Sequence, residues 1–195
     1  MIYLRDDDVL VSSSSKNEFA RFKQIHEWTV GIPNLIHVPT ILVTEIQGYP
    51  ECIEYIKEET AQRRMQPEFH GMSHIDYKKL SKREIRNHLM QGRDFIRQQF
   101  NWEPTLWATP WGAESIYLKE AAEEQDFILQ NCTTDVISIE NATAGLKNGT
   151  LKLEDLDEKY IFFHFWKRGL RVKRISETVR HGSWAAAAKA NPDLF

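Results

Sequence analysis

Two histidines spaced four residues apart and a run of three aspartates are the side chains of this sequence best suited to chemistry. His70 and His74 lie in the pentapeptide HGMSH, and Asp6, Asp7 and Asp8 follow a short apolar segment at the start of the chain. Two imidazole nitrogens and one carboxylate form a metal site that leaves coordination positions open for water and substrate. A second carboxylate beside that site can take a proton from the water. The combination predicts a metal-dependent hydrolase.

Neither motif is specific by itself. With 7 His in 195 residues, a pair at this spacing arises by chance in roughly one such chain in four, so two partly exposed histidines in a turn are an equal alternative. The aspartates are also typical of a solvated loop after an edge strand. Their position favours a site, because α/β proteins place their chemistry at the C-terminal ends of strands. Adjacent like charges there repel unless a cation or Arg5 neutralises them.

Composition indicates one ordinary globular domain covering residues 1–195. The net charge of −3 and the pI of about 6.2 exclude a broad basic surface, so nucleic acid is not an expected partner. Cys52 and Cys132 match no zinc spacing and are expected to be reduced thiols. No signal-peptide pattern and no membrane-spanning apolar stretch is present. The chain as given is therefore expected in the cytoplasm without membrane insertion, although a longer, secreted precursor stays compatible with it.

Strand-like and helix-like segments alternate along the chain. The strand candidates cover residues 2–4, 38–45, 68–70, 106–109, 127–129, 136–139 and 160–166. The helix candidates cover residues 17–30, 50–64, 81–100, 115–124 and 175–190, and the third begins with the capping box Ser81-Lys82-Arg83-Glu84. This alternation predicts an α/β protein with a parallel sheet, either open or closed into a barrel.

The order of the motifs resembles the polysaccharide deacetylase family, the NodB-type carbohydrate esterases, in a divergent branch. The family pattern has two adjacent aspartates after the first strand, His-x-x-x-His, a capped helix, a Pro-aromatic-Gly turn and a late strand with a histidine. This chain has these elements in the same order: Asp7-Asp8, His70 and His74, the helix from residue 81, Pro110-Trp111-Gly112, and His164. The resemblance covers roughly residues 2–170. It implies a single-domain, distorted (β/α)7-type barrel with the site at the C-terminal ends of the strands.

For the metal, the resemblance implies a divalent ion, most commonly Zn²⁺, bound by Asp8, His70 and His74, with Asp7 as the general base. The three consecutive aspartates leave a second register open, in which Asp6 is the base and Asp7 the ligand. The alternation of strand faces does not decide between the two registers, because adjacent residues point to opposite faces in both.

The remaining roles implied by the resemblance belong to the later motifs. His164 is the expected general acid that protonates the leaving amine, Asp135 is the acid that orients it, and the backbone N–H of Trp111 stabilises the oxyanion. A buried core histidine is the alternative for His164. The expected substrate contacts come from four residues: Arg5, Pro110, Trp111 and Phe162, the last lining the acetyl pocket.

Three positions depart from the family pattern. Val9 stands where the family has a glycine after the aspartate pair. Ala108 stands where the family has an arginine that pairs with the base, and Gly71 stands where it has serine or threonine. Arg5 is the candidate that supplies the missing charge.

The expected function is zinc-dependent removal of N-acetyl or related acyl groups from an acetylated sugar or oligosaccharide. Two alternatives remain. One is a non-catalytic metal- and carbohydrate-binding domain of the same fold. The other is a phosphotransfer enzyme that uses Asp6 and Asp8 as a nucleophile and acid pair. This second alternative leaves both histidines of HGMSH without a role.

Overall fold

A single parallel sheet of seven strands organises the protein. The computed structural model describes residues 1–9, 17–130, 136–164 and 169–195. The strands are β1 (Ile2–Asp7), β2 (Leu35–Leu42), β3 (Glu68–Gly71), β4 (Leu106–Trp107), β5 (Ile128–Leu129), β6 (Val136–Ser138) and β7 (Tyr160–His164). They lie in the order β5-β4-β3-β2-β1-β7-β6, and each pairing is parallel. The curled sheet with its surrounding helices confirms the expected (β/α)7-type barrel.

Helices connect β1 to β2, β2 to β3, β3 to β4, β4 to β5 and β6 to β7, as parallel strands require. The helices are α1 (Asn17–Glu27), α2 (Val43–Ile46), α3 (Pro50–Ala61), α4 (Lys82–Phe100), α5 (Ile116–Glu123), α6 (Ile139–Asn148), α7 (Gly169–His181) and α8 (Trp184–Ala190). No helix in the described ranges is long and apolar enough to cross a membrane.

Helix α4 supports the strand that carries His70. It begins with the expected capping box, in which the Ser81 hydroxyl accepts from the Glu84 N–H and the Glu84 carboxylate accepts from the Ser81 N–H. The approach to β3 is closest at Gly92, where an added Cβ would lie 2.2 Å from the ring of Phe69. Only glycine fits at this crossing, so α4 lies directly against the residue before His70.

The structure differs from the sequence-based expectation at several elements. Strand β1 continues past residue 4 to Asp7, so Asp6 and Asp7 lie within it. The predicted strand at residues 38–45 begins earlier, at Leu35, and gives way to α2 from Val43 to Ile46. The single helix expected at residues 175–190 is two helices, because Gly182 adopts φ +75° and Ser183 caps α8. Helix α6 was not expected at all; Ser138 caps it by accepting from the Asn141 N–H.

A chain of polar side chains runs from the partly exposed Arg64 into the space between the sheet and the outer helices, where its other members are buried. Arg64 donates to the Glu59 carboxylate, at 2.7 Å for the Nη2–Oε1 contact, and His26 Nε2 donates to Glu59 Oε2 at 2.8 Å. His26 Nδ1 is then an acceptor in the neutral ring, so His37 Nδ1, 3.2 Å away, donates to it. His37 Nε2 lies 3.5 Å from Asp6 Oδ2. Burial, followed by the nearby carboxylates of the same strand end, raises the pKa of Asp6 well above its usual value.

Candidate metal centre

The backbone at the end of β1 turns Asp8 out of the usual strand alternation. Asp6 is fully buried on the side of His37, and the next carboxylate, that of Asp7, lies on the opposite side, beside Arg5. A regular strand would return Asp8 to the side of Asp6. Asp8 instead adopts φ +63°, a left-handed conformation that is uncommon for residues other than glycine. Its carboxylate consequently meets the histidines of the HGMSH segment.

Asp8, His70 and His74 form the candidate metal centre. One ligand atom from each residue lies within 4.8 Å of the other two. Asp8 Oδ1 is 3.0 Å from His70 Nε2 and 2.8 Å from His74 Nε2. Asp8 and His70 are buried, and His74 is partly buried. The cluster lies where β1 and β3 end, the edge at which parallel α/β sheets place their functional residues.

Two residues, Trp107 at the end of β4 and Ala108 after it, hold His70 in place. Its Nδ1 lies 2.5 Å from the Ala108 carbonyl oxygen and therefore donates to it. The Trp107 indole Nε1 donates to the His70 carbonyl at 3.2 Å. The Ala108 N–H completes the arrangement by donating to Phe69 O at 3.0 Å. A histidine ligand with this second hydrogen bond has a defined tautomer and ring orientation.

The chemistry of these side chains fits a divalent cation. A neutral His70 that donates from Nδ1 has a lone pair at Nε2, and this lone pair faces a carboxylate oxygen of Asp8. Two acceptors at such short range repel unless a positive charge lies between them. Two ligand atoms of a tetrahedral zinc ion are roughly 3.3 Å apart, close to the separations found here. Two imidazoles and one carboxylate also match the ligand types of open zinc sites.

Asp7 is held on both carboxylate oxygens. Arg5 Nη2 donates to Oδ2 at 2.7 Å, and the Thr40 hydroxyl donates to Oδ1 at 3.1 Å. Arg5 Nη1 donates in turn to Gln130 Oε1 at 2.9 Å. Because Gln130 follows β5 at the edge of the sheet, this bond joins β1 to a strand four positions away in the sheet order. Arg5 thus supplies a positive charge to Asp7 in a chain that has Ala108 in place of the family arginine.

The other expected site residues surround this centre in different ways. Trp111 has φ +60°, is 73% exposed, and lies edge-on to His74 with ring centroids 4.6 Å apart. Pro110 is buried. Arg5 is 3% exposed, and its guanidinium lies 5.2 Å from the centre of the Phe162 ring. Its guanidinium is therefore buried and contacts other protein side chains. His164 is the partner of Asp7 in the register of β1 and β7. Asp135 lies outside the described residues.

Several residues that contact the site were not identified from the sequence. They are Thr40, Glu45, Tyr77, Trp107 and Gln130. Thr40 had a local signal, since it is the one hydroxyl in the apolar run Val38-Pro39-Thr40-Ile41-Leu42. Gln130 had none, because its contact with Arg5 joins residues 125 positions apart. Trp107 is fully buried, so it contacts the site from within the core.

Comparisons with known proteins agree with this arrangement. The family model described as polysaccharide deacetylase matches residues 41–128. A comparison with curated proteins gives no significant match. Among solved structures, the peptidoglycan deacetylase PdaC from Bacillus subtilis superposes with a TM-score of 0.61 at 15% identity, covering 97% of this chain and 91% of that one.

Two further structures have the same fold. The family 4 carbohydrate esterase from Streptomyces lividans, in complex with acetate, has a TM-score of 0.57 at 12% identity, covering 91% of this chain and 85% of that one. BA3943 from Bacillus anthracis, a CE4 family pseudoenzyme, has a TM-score of 0.60 at 13% identity and covers 91% of this chain. This chain spans only 58% of that protein. The sequence match and the shared fold together confirm the resemblance to the polysaccharide deacetylase family.

Proposed function

We propose that this protein is a metal-dependent hydrolase that removes N-acetyl or related acyl groups from a carbohydrate. The family match and the fold support the class of reaction. The observation that carries the proposal is the convergence of Asp8, His70 and His74, whose ligand atoms all lie within 4.8 Å of one another. In this proposal they hold a divalent cation, most commonly Zn²⁺. Such a cation supplies a Lewis acid that lowers the pKa of water and polarises the acyl carbonyl.

Asp7 is the general base in this proposal. Its carboxylate is kept in one orientation by Arg5 and Thr40, which occupy its two oxygens from different strands. A base held in this way loses little freedom when it accepts the proton of the attacking water. The proposed register therefore pairs Asp7 as base with Asp8 as ligand. Asp6 is left out of the reaction, since its side chain lies beside His37 on the other side of the sheet.

The proton that the leaving amine requires comes from His164 in this proposal. The support is its position in β7 directly beside Asp7 on β1, together with the motif order of the family. Asp135 is its proposed orienting partner. The backbone N–H of Trp111 is the proposed oxyanion donor, and Pro110 and Phe162 are proposed to border the acyl group. The proposed substrate is an acetylated sugar or oligosaccharide.

Metal analysis combined with two amide substitutions tests the proposal. Protein purified without chelator should contain close to one transition-metal ion per chain. Asp7→Asn should keep the metal and lose deacetylation of acetylated chito-oligomers, whereas Asp8→Asn should lose metal affinity. If Asp7→Asn removes the metal instead, the alternative register with Asp6 as the base is correct. Undiminished metal content in a His70→Ala/His74→Ala double variant would rule out the site itself.

A non-catalytic domain that binds metal and carbohydrate is the second candidate. The observation in its favour is Ala108, which removes the family arginine from the neighbourhood of the base. The ion pair of Arg5 with Asp7 favours an active enzyme, because Arg5 supplies the proposed base with the positive charge that the family arginine would provide. Turnover distinguishes the two candidates. The protein is loaded with zinc or cobalt and given acetylated chito-oligomers or an aryl acetate. If it binds the oligomers but releases acetate from neither substrate, it is the non-catalytic domain.

A further inference from the structure

The loop that carries His74 is fastened by the first residues of α2. Strand β3 ends at Gly71, and the loop then runs past the end of β2. The Met72 carbonyl accepts two hydrogen bonds from Thr44, from its N–H at 2.8 Å and from its hydroxyl at 2.6 Å. The backbone N–H of His74 donates to Glu45 Oε1 at 3.2 Å. Glu45 therefore holds the backbone of a proposed ligand.

Tyr77 also holds this loop, at Met72 rather than at His74. Its hydroxyl accepts from the Met72 N–H at 2.8 Å. An added Cβ at Gly71 would lie 3.0 Å from that hydroxyl, so the glycine leaves room for it. Thr44 and Tyr77 thus both fix Met72, two residues before the ligand. The Glu45 contact is the one that acts on His74 directly.

The side chain of Glu45 is poorly suited to a purely stabilising role. It is partly buried, and its Oε2 atom is buried without a hydrogen-bond donor among the described residues. A buried carboxylate oxygen without a donor costs stability. Metal ligands, in contrast, depend strongly on neighbours that orient them. Glu45 fixes the backbone of His74. The Nε2 atom of the same residue lies 2.8 Å from Asp8 Oδ1.

We propose that Glu45 is a positioning residue of the cation site, which holds His74 Nε2 in line with Asp8 and His70. The inference rests on the proposed metal site and extends it to a residue outside the ligand set. Loss of the hydrogen-bond partner of a ligating histidine ring typically weakens metal binding by about 10–100-fold, and loss of a partner of the ligand's backbone should act at the lower end of that range, about 10-fold. Glu45→Ala should therefore weaken Co²⁺ binding by about 10-fold. Glu45→Gln should retain most of the affinity, because its amide oxygen still accepts from the His74 N–H.

The experiment is a cobalt titration of the full chain, followed by visible absorption, with thermal melting of the metal-free protein as a second readout. The control is Glu51→Ala, which removes an exposed carboxylate from the first turn of α3. We expect weaker binding and a changed cobalt spectrum in Glu45→Ala alone, with the metal-free melting temperature close to that of the control.

Two results overturn the inference alone: wild-type cobalt affinity in Glu45→Ala, or a lowered metal-free melting temperature in both Glu45 variants, which would assign the residue a structural role. A wild-type protein that binds no cobalt is a different result, since it overturns the proposed metal site and the inference with it.

Discussion

The buried ion pair of Arg5 and Asp7 is expected to be the costliest single contact to break. The two side chains are 4% and 6% exposed and 2.7 Å apart. Removing one partner of such a pair leaves an uncompensated buried charge and costs about 3–5 kcal/mol. Arg5→Met also removes the hydrogen bond to Gln130, which contributes about 1 kcal/mol. The expected loss in the free energy of unfolding is therefore about 4–6 kcal/mol.

Urea unfolding of the metal-free protein measures this loss, and a second substitution identifies its cause. Adding Asp7→Asn to Arg5→Met removes the carboxylate that lost its partner. The free energy of unfolding of the double variant should therefore be about 2–3 kcal/mol higher than that of Arg5→Met. The control is Arg86→Met, which breaks the exposed pair of Arg86 and Glu124; exposed pairs contribute about 0–1 kcal/mol. A loss below about 1 kcal/mol for Arg5→Met, or no recovery in the double variant, would refute the reasoning.

Three further outcomes are expected. Burial lowers the pKa of His26 and of His37 below the usual 6.5. The unfolded state therefore binds more protons below about pH 6.5, and the free energy of unfolding should fall as the pH drops. A urea midpoint that does not change between pH 7 and 5.5 would contradict this. Gly92→Ala should push the Phe69 ring and weaken cobalt binding, whereas the equally crowded Gly145→Ala, beside Leu151, should lower only the melting temperature. His164→Ala should slow amide hydrolysis by about 10²–10⁴-fold and an aryl acetate much less; equal losses on both substrates, in folded and metal-loaded protein, would exclude the acid role.

Elements whose signals are local were predictable from the sequence. The capping box at Ser81 and the apolar stripe that follows it specify α4 within its own residues. The apolar runs of β2 and β7 likewise indicate buried parallel strands. The order of the motifs was sufficient for the family resemblance and for the barrel, because that order does not depend on exact boundaries.

Boundaries set by contacts between distant segments were not predictable. The residues Val43-Thr44-Glu45 are as suitable for a strand as those before them, and periodicity does not separate the two. They form α2 because the pairing of β2 with β3 ends at the Leu42–Gly71 pair. Beyond that pair, the Thr44 N–H donates to the Met72 carbonyl. The break before α8 depends on a single glycine, which an otherwise helical pattern concealed.

For the candidate site, the sequence by itself determined the set of reactive side chains: the run of three aspartates near the start of the chain, the histidine pair and the late histidine. Only the tertiary structure decided how they are used. The left-handed φ of Asp8 brings it to the histidines and leaves Asp6 in the core. The tautomer of His70 follows from the Ala108 carbonyl, and the charge on Asp7 is balanced by Arg5. These outcomes depend on backbone dihedrals and on contacts across the barrel, which residue types and spacing do not encode.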